Sequence, residues 1–159
     1  MATLTPKQLE IREREGRLLE IARRLVLDRG YHGLTMARIA TRLDVAKATV
    51  YQHFSCKEEI IIALAGRSVD LQRSLIDRAA AFHGTPRERM FAVGEATQLF
   101  SRLYPEDARI FQLISAEAIT QKASPASLGR LRISARETAD VMSGIVRDAI
   151  ARGDLELKS

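Results

Sequence analysis

The stretch TMARIATRLDVAKATVYQHFSCK, residues 35 to 57, constrains this chain more than any other. Met36, Ile39, Ala40 and Leu43 recur at helical spacing, and Thr35 precedes them as an N-cap whose hydroxyl can accept from a free amide of the first turn. Asp44 interrupts the series, and Asp tolerates turn geometry better than most residues with a side chain. Val45, Val50 and Phe54 then resume an apolar pattern, which predicts a second short helix. Two short helices joined by a turn of three or four residues form a helix-turn-helix unit, whose second helix enters the major groove of DNA.

This arrangement turns Lys47, Ala48, Thr49, Tyr51, Gln52 and His53 outward. None is acidic, and all but Ala48 can hydrogen-bond a phosphate oxygen or a base edge. A polar face on one short helix is ordinarily just a solvated face. The charge distribution argues for more. Residues 1–57 hold 11 Lys+Arg against 6 Asp+Glu, a net of +5, whereas residues 58–159 hold 14 against 14. The formal charge therefore sits with the two-helix unit. A phosphate-binding face needs this, because cations that displace condensed counterions supply much of DNA affinity.

Over roughly residues 18 to 64 the sequence resembles the N-terminal domain of the TetR family of bacterial repressors. The resemblance is carried by Gly30-Tyr31, Gly33, Thr35, Ile39-Ala40, Leu43, Val45, Thr49-Val50-Tyr51, His53-Phe54 and Lys57-Glu58, without a gap. The family usually carries Gly where Asp44 and Ala48 stand here. The resemblance implies that Tyr51, His53 and Lys57, helped by Thr35, seat the domain on the phosphate backbone. Hydroxyl, imidazole and ammonium groups all donate to phosphate, and Lys57 opens a helix whose positive end favours anions. Lys47, Thr49 and Gln52 are the expected base readers, and the Ala48 methyl can meet a thymine methyl.

Beyond this segment the patterns are helical and strand signals are almost absent. Thr5-Pro6 opens a first helix that Gly30 is expected to stop. A fourth helix is predicted from Lys57 to about Phe82, a fifth from Pro86 to about Leu103, a sixth from Pro105 to about Thr120, and a seventh from Ala126 to Arg152. Aromatic content is only 5% and Trp is absent, so aliphatic residues must fill the core. The expected fold is all-α: a three-helix DNA-binding head, residues 1–56, joined by the long fourth helix to a helical ligand-binding and dimerisation domain, residues 57–159.

The resemblance implies a small-molecule effector bound between helices of the second domain. Met90, Thr97, Phe100, Phe111, Ser115 and Met142, drawn from inward stripes, are the expected lining, since ligand sites are mostly apolar with a few placed polar groups. It also implies a homodimer. Family members usually continue with two further long helices that build the dimer interface, whereas this sequence reaches its end directly after the seventh pattern. The expectation is a shortened chain or another dimer surface, with Val141 and Val146 on the outer face of the seventh helix.

Catalytic signatures are missing: there is no Gly-rich phosphate loop, GxSxG elbow or HExxH. His53 and Cys56 lie three residues apart, but no second Cys or carboxylate pair completes a tetrahedral set, so neither metal nor cofactor is expected. No apolar run of 18 residues suggests a membrane span, and the charged start is unlike a signal peptide. A single cysteine fits a reducing cytoplasm. These readings converge on a cytoplasmic, nucleoid-associated bacterial regulator, a non-enzyme that holds a palindromic double-stranded operator and is released by a small apolar ligand. The rival reading is a helical DNA-binding or interaction protein with no effector.

Overall fold

The computed structural model describes residues 5–114 and 117–155. Their regular structure is helical throughout: α1 (Pro6–Gly33), α2 (Met36–Leu43), α3 (Lys47–His53), α4 (Lys57–Ala80), α5 (Pro86–Leu103), α6 (Pro105–Leu113), α7 (Glu117–Thr120) and α8 (Pro125–Ala151). Proline stands in the first turn of α1, α5, α6 and α8, where its missing N–H would have no helical partner. Thr5 and Thr85 close reciprocal caps with Gln8 and Glu88 three residues on. Among the described residues no helix is long and apolar enough to cross a membrane.

Gly30 does not end α1 as expected. It takes φ 66° and ψ −174°, a backbone that residues with a Cβ rarely adopt, and kinks the chain into one further turn through Gly33. That turn carries Tyr31 to the N-terminus of α4, where its hydroxyl meets Glu58.

The main core is continuous from α1 to α8. Leu18, Leu25, Leu34, Ile39 and Val50 are buried in the same cluster as Ile60 and Ile61 of α4, Ile110 of α6, Ile119 of α7 and Leu128 of α8. A polar clasp reinforces it: Arg23 on α1 pairs with Glu106 at 2.8 Å and Asp107 at 3.1 Å, and the fully buried Ser68 donates to Asp107 at 3.0 Å. A smaller core of Ile76, Val93 and Ile145 holds the far ends of α4, α5 and α8 together.

The predicted sixth helix is divided. Ile110 and Ile119 are both buried in the main core. Nine residues at 100° each would put them on opposite sides of a straight helix, so the helix cannot run on and satisfy both. It closes at Leu113 with a tightened last turn, Ile114 N–H to Phe111 O at 3.3 Å, and α7 begins at Glu117.

The inward stripes of α5 and α8 are also turned from their expected positions. On α5, Val93, Ala96 and Phe100 are buried, and Thr97 stands exposed beside them with its hydroxyl donating to the Val93 carbonyl. On α8, Val141 and Ile145 pack into the smaller core, leaving Met142 41% exposed. Val141 therefore does not lie on an outer face.

Candidate nucleic-acid interface

Asp44 forms the turn between α2 and α3 in the left-handed conformation, φ 56° and ψ 48°. Its amide and that of Val45 return to the Ala40 carbonyl, Val45 at 3.1 Å, which fixes how α3 leaves the turn. Thr35 caps α2 as expected, its hydroxyl accepting from Arg38 N–H at 3.2 Å. Val50, fully buried, pins α3 onto the core, with Phe54 buried just beyond its end. The anchoring of α3 from beneath frees its other side. Lys47, Ala48, Tyr51 and Gln52 are exposed, and Thr49 and His53 half-buried.

Three elements converge around one shallow depression of about 370 Å³. Thr35 and Ala37 come from the start of α2, Lys47 and Tyr51 from α3, and Ser55 to Glu58 from the start of α4. Four expected DNA contacts, Thr35, Lys47, Tyr51 and Lys57, thus share one rim. Ala48, Thr49, Gln52 and His53 lie outside it, on the rest of α3. Lys47 reaches over the Tyr51 ring, with Nζ 5.7 Å from its centre. The side chains of Thr49, Tyr51, Gln52 and His53 make no hydrogen bond among the described residues, which leaves their polar atoms free for a partner.

Lys57 is less free than the sequence suggested. Its ammonium lies 3.8 Å from the centre of the Tyr31 ring and donates to the Tyr31 carbonyl at 3.3 Å. Beneath it Tyr31 donates its hydroxyl to Glu58 at 2.5 Å. Glu58 is 4% exposed. Burial pushes its carboxyl up, but hydrogen bonds from Tyr31, its own backbone and Cys56, with the charge of Lys122, outweigh that and hold it below the usual carboxylate range. The hydrogen bond to Glu58 is also the chief reason the Tyr31 phenol is raised to about 12, with burial second. The acid nearest the depression is thereby occupied internally. Glu59 is occupied too: hydrogen bonds from Ser55 lower it most, and the Ser127 hydroxyl donates to it at 3.2 Å.

A second basic surface went unread in the sequence. Arg29 of α1 and Arg38 and Arg42 of α2 border a small hollow with Thr41. Arg38 donates to the Gly33 carbonyl at 2.9 Å, whereas Arg29 and Arg42 have no ion pair among the described residues. The four-residue spacing of Arg38 and Arg42 was the available signal.

The expected effector residues do not meet in one place. Phe100 is 1% exposed and packs as core against Tyr104. Met90 lines an open apolar groove of about 840 Å³ between α5 and the end of α8, beside Phe91 and Val146. Phe111 lines a different cleft, about 480 Å³, walled by α4, α6, α7 and α8. Thr97 and Met142 border neither, and Ser115 lies outside the described residues.

Residues 18–64 match the sequence pattern of the bacterial regulatory proteins of the tetR family. The chain is 38% identical over 102 residues to the HTH-type transcriptional activator FasR of Mycolicibacterium smegmatis, covering 64% of this chain and 45% of FasR. It is 34% identical over 92 residues to the HTH-type transcriptional repressor KstR of the same organism, covering 57% of this chain and 45% of KstR. It thus spans about half the length of the curated relatives it matches. The fold is similar to a bacterial regulatory protein in the tetR family from Rhodococcus RHA1, with a TM-score of 0.70 and 20% identity over 91% of this chain and 74% of that one. The ketosteroid transcriptional regulator KstR2 of Mycobacterium tuberculosis gives a TM-score of 0.62 at 22% identity, over 90% and 74% of the two chains. A matched segment, relatives that are transcription regulators and a similar all-helical fold point one way: residues 18–64 form a DNA-binding segment of the kind found in the tetR family of bacterial regulatory proteins.

Proposed function

We propose that this chain is an effector-controlled transcriptional regulator that binds a palindromic operator as a homodimer. The observation that carries the reading is the shared rim of Thr35, Lys47, Tyr51 and Lys57, a concave surface with two ammonium groups whose acidic neighbour is satisfied from within. Thr35, Tyr51, His53 and Lys57 hold phosphates, and Lys47, Thr49 and Gln52 read base edges with Ala48 in apolar contact. Residues 1–56 act as the head and residues 57–159 as the body. Two heads bound on one side of a duplex lie about 34–36 Å apart, or a multiple of that.

The cleft walled by α4, α6, α7 and α8 is the better effector site. It is mostly apolar, with Val69, Phe111, Leu128 and Leu131 among its walls, and its size falls within the range of small-molecule sites. Helix α4 runs from the DNA face at Lys57 past this cleft, so an effector that favours another tilt of α4 lowers DNA affinity. KstR2 is by its description a ketosteroid regulator, which supports an apolar effector here.

The test is binding to a palindrome recovered by selection from random duplexes. Lys47→Ala and Thr49→Ala should each lower affinity for the selected site, with sedimentation giving two chains per duplex. Selection that enriches no palindrome, or unchanged affinity of both variants, overturns the reading.

A further inference from the structure

The α4–α6–α7–α8 cleft contains polar groups that its apolar packing does not require. Ser134 on α8 is 5% exposed, and its hydroxyl makes no hydrogen bond among the described residues. Because no buried side-chain oxygen or nitrogen among them is sealed off without a partner, that hydroxyl opens onto the cleft. A hydroxyl open on an apolar wall pairs with water until a ligand oxygen or donor takes that place. The half-buried amide of Gln72 on the α4 wall has no side-chain hydrogen bond either. Thr138, by contrast, is satisfied by the Ser134 carbonyl at 3.0 Å.

The two arginines of the cleft differ in a way that selects charge. Arg73 is held by Asp77 at 3.4 Å and by Glu137, so its charge is answered within the protein. Arg132, exposed on the α8 wall, has no acidic partner among the described residues. A guanidinium only donates, in a planar fork that suits a carboxylate or a phosphate. Between these groups the walls are Val69, Phe111, Leu128 and Leu131, which offer no polar contact.

We propose that this cleft selects a small molecule with an apolar body and one anionic end, the anion on Arg132 and an oxygen on Ser134 or Gln72. The proposal rests on the reading of this cleft as the effector site, and adds the charge of the ligand to it.

The test uses three probes of one chain length, decanoate, decan-1-ol and decylammonium, titrated calorimetrically into the full chain. Decanoate should bind about five-fold more tightly than decanol, the scale of one partly exposed ion pair. Arg132→Gln should abolish that difference and leave decanol unchanged, and Ser134→Ala should weaken decanoate. Ala135→Phe fills the cleft from an exposed lining position and should block all three probes. Equal binding of decanoate and decanol, tightest binding of decylammonium, or indifference to Arg132→Gln overturns the charge selection. If Ala135→Phe still blocks in those cases, the effector cleft itself stands. Probes that bind Ala135→Phe as well as the native chain, or that bind neither, remove both the site and the proposal.

Discussion

Tyr31→Phe removes one oxygen from the join between head and body, and its cost follows from Glu58. The side chain of Glu58 is 6% exposed, and its nearest cation, Lys122, is 3.9 Å away and mostly in solvent. Loss of the Tyr31 donor leaves a buried carboxylate short of its shortest hydrogen bond. Hydrogen bonds to charged groups contribute roughly 1.5–3 kcal/mol, so the variant should lose about 2 kcal/mol near neutral pH. With a urea m-value of about 2 kcal/mol per molar, the unfolding midpoint should fall by about 1 M. The pH dependence gives a sharper test. Glu58 is held below its ordinary value of 4.5, so its contribution is present above that value and fades as pH falls through the lowered one. In the variant burial loses its largest counterweight and the carboxyl titrates higher than in the native chain, so the gap between the two proteins should narrow on acidification. Urea titrations at pH 7 and pH 4, followed by circular dichroism, measure both. Equal midpoints at pH 7, or a gap that does not narrow on acidification, would refute the account.

Four further outcomes follow from the same contacts. Lys57→Ala should reduce the salt slope of DNA binding by about one unit, uniformly across sequences; an unchanged slope leaves Lys57 as a structural cation on Tyr31. Thr49→Ala or Gln52→Ala should lose about 1–3 kcal/mol of operator preference over random duplex in competition assays, where an equal loss on both would place them on phosphates. Gly30→Ala should lower thermal stability by about 1 kcal/mol, because its φ of 66° is strained for any Cβ. Tyr31 should resist titration until about pH 12, with stability falling between pH 10 and there as the unfolded phenol ionises first; absorbance of the phenolate follows it.

The head was legible because its constraints are local. Four-residue spacing, a threonine cap and an aspartate at a left-handed turn are all written within residues 35 to 54, and the turn formed where Asp44 indicated. The body was legible only as helices. Which arc of a helix is buried depends on the neighbour it meets, and nothing near Thr97 or Met142 records that α5 and α8 are rotated away from them. The break after Leu113 was hidden for the same reason: it is forced by Ile110 and Ile119 sharing one core. Nothing in the sequence around Ser134 marks it, since a lone serine on a helix carries no signal of its own. Its free hydroxyl has meaning only beside the opposite wall.

The continuous core has a consequence for how this protein opens. Val50 and Ile39 pack in one cluster with Ile60, Ile61 and Ile119, so the recognition helix cannot lose its support without disturbing α4 and α7. Amide hydrogens of α2 and α4 should then exchange together, at the rate of whole-chain unfolding rather than of a head that breathes alone. A fragment ending at residue 56 would expose the Ile60–Ala65 side of the cluster and should be a poorly ordered peptide, whereas one extended past Ala65 keeps that layer. Under the proposed effector control, such a core would pass the signal as a rigid reorientation, in which the surface of α3 keeps its shape and changes only its aim.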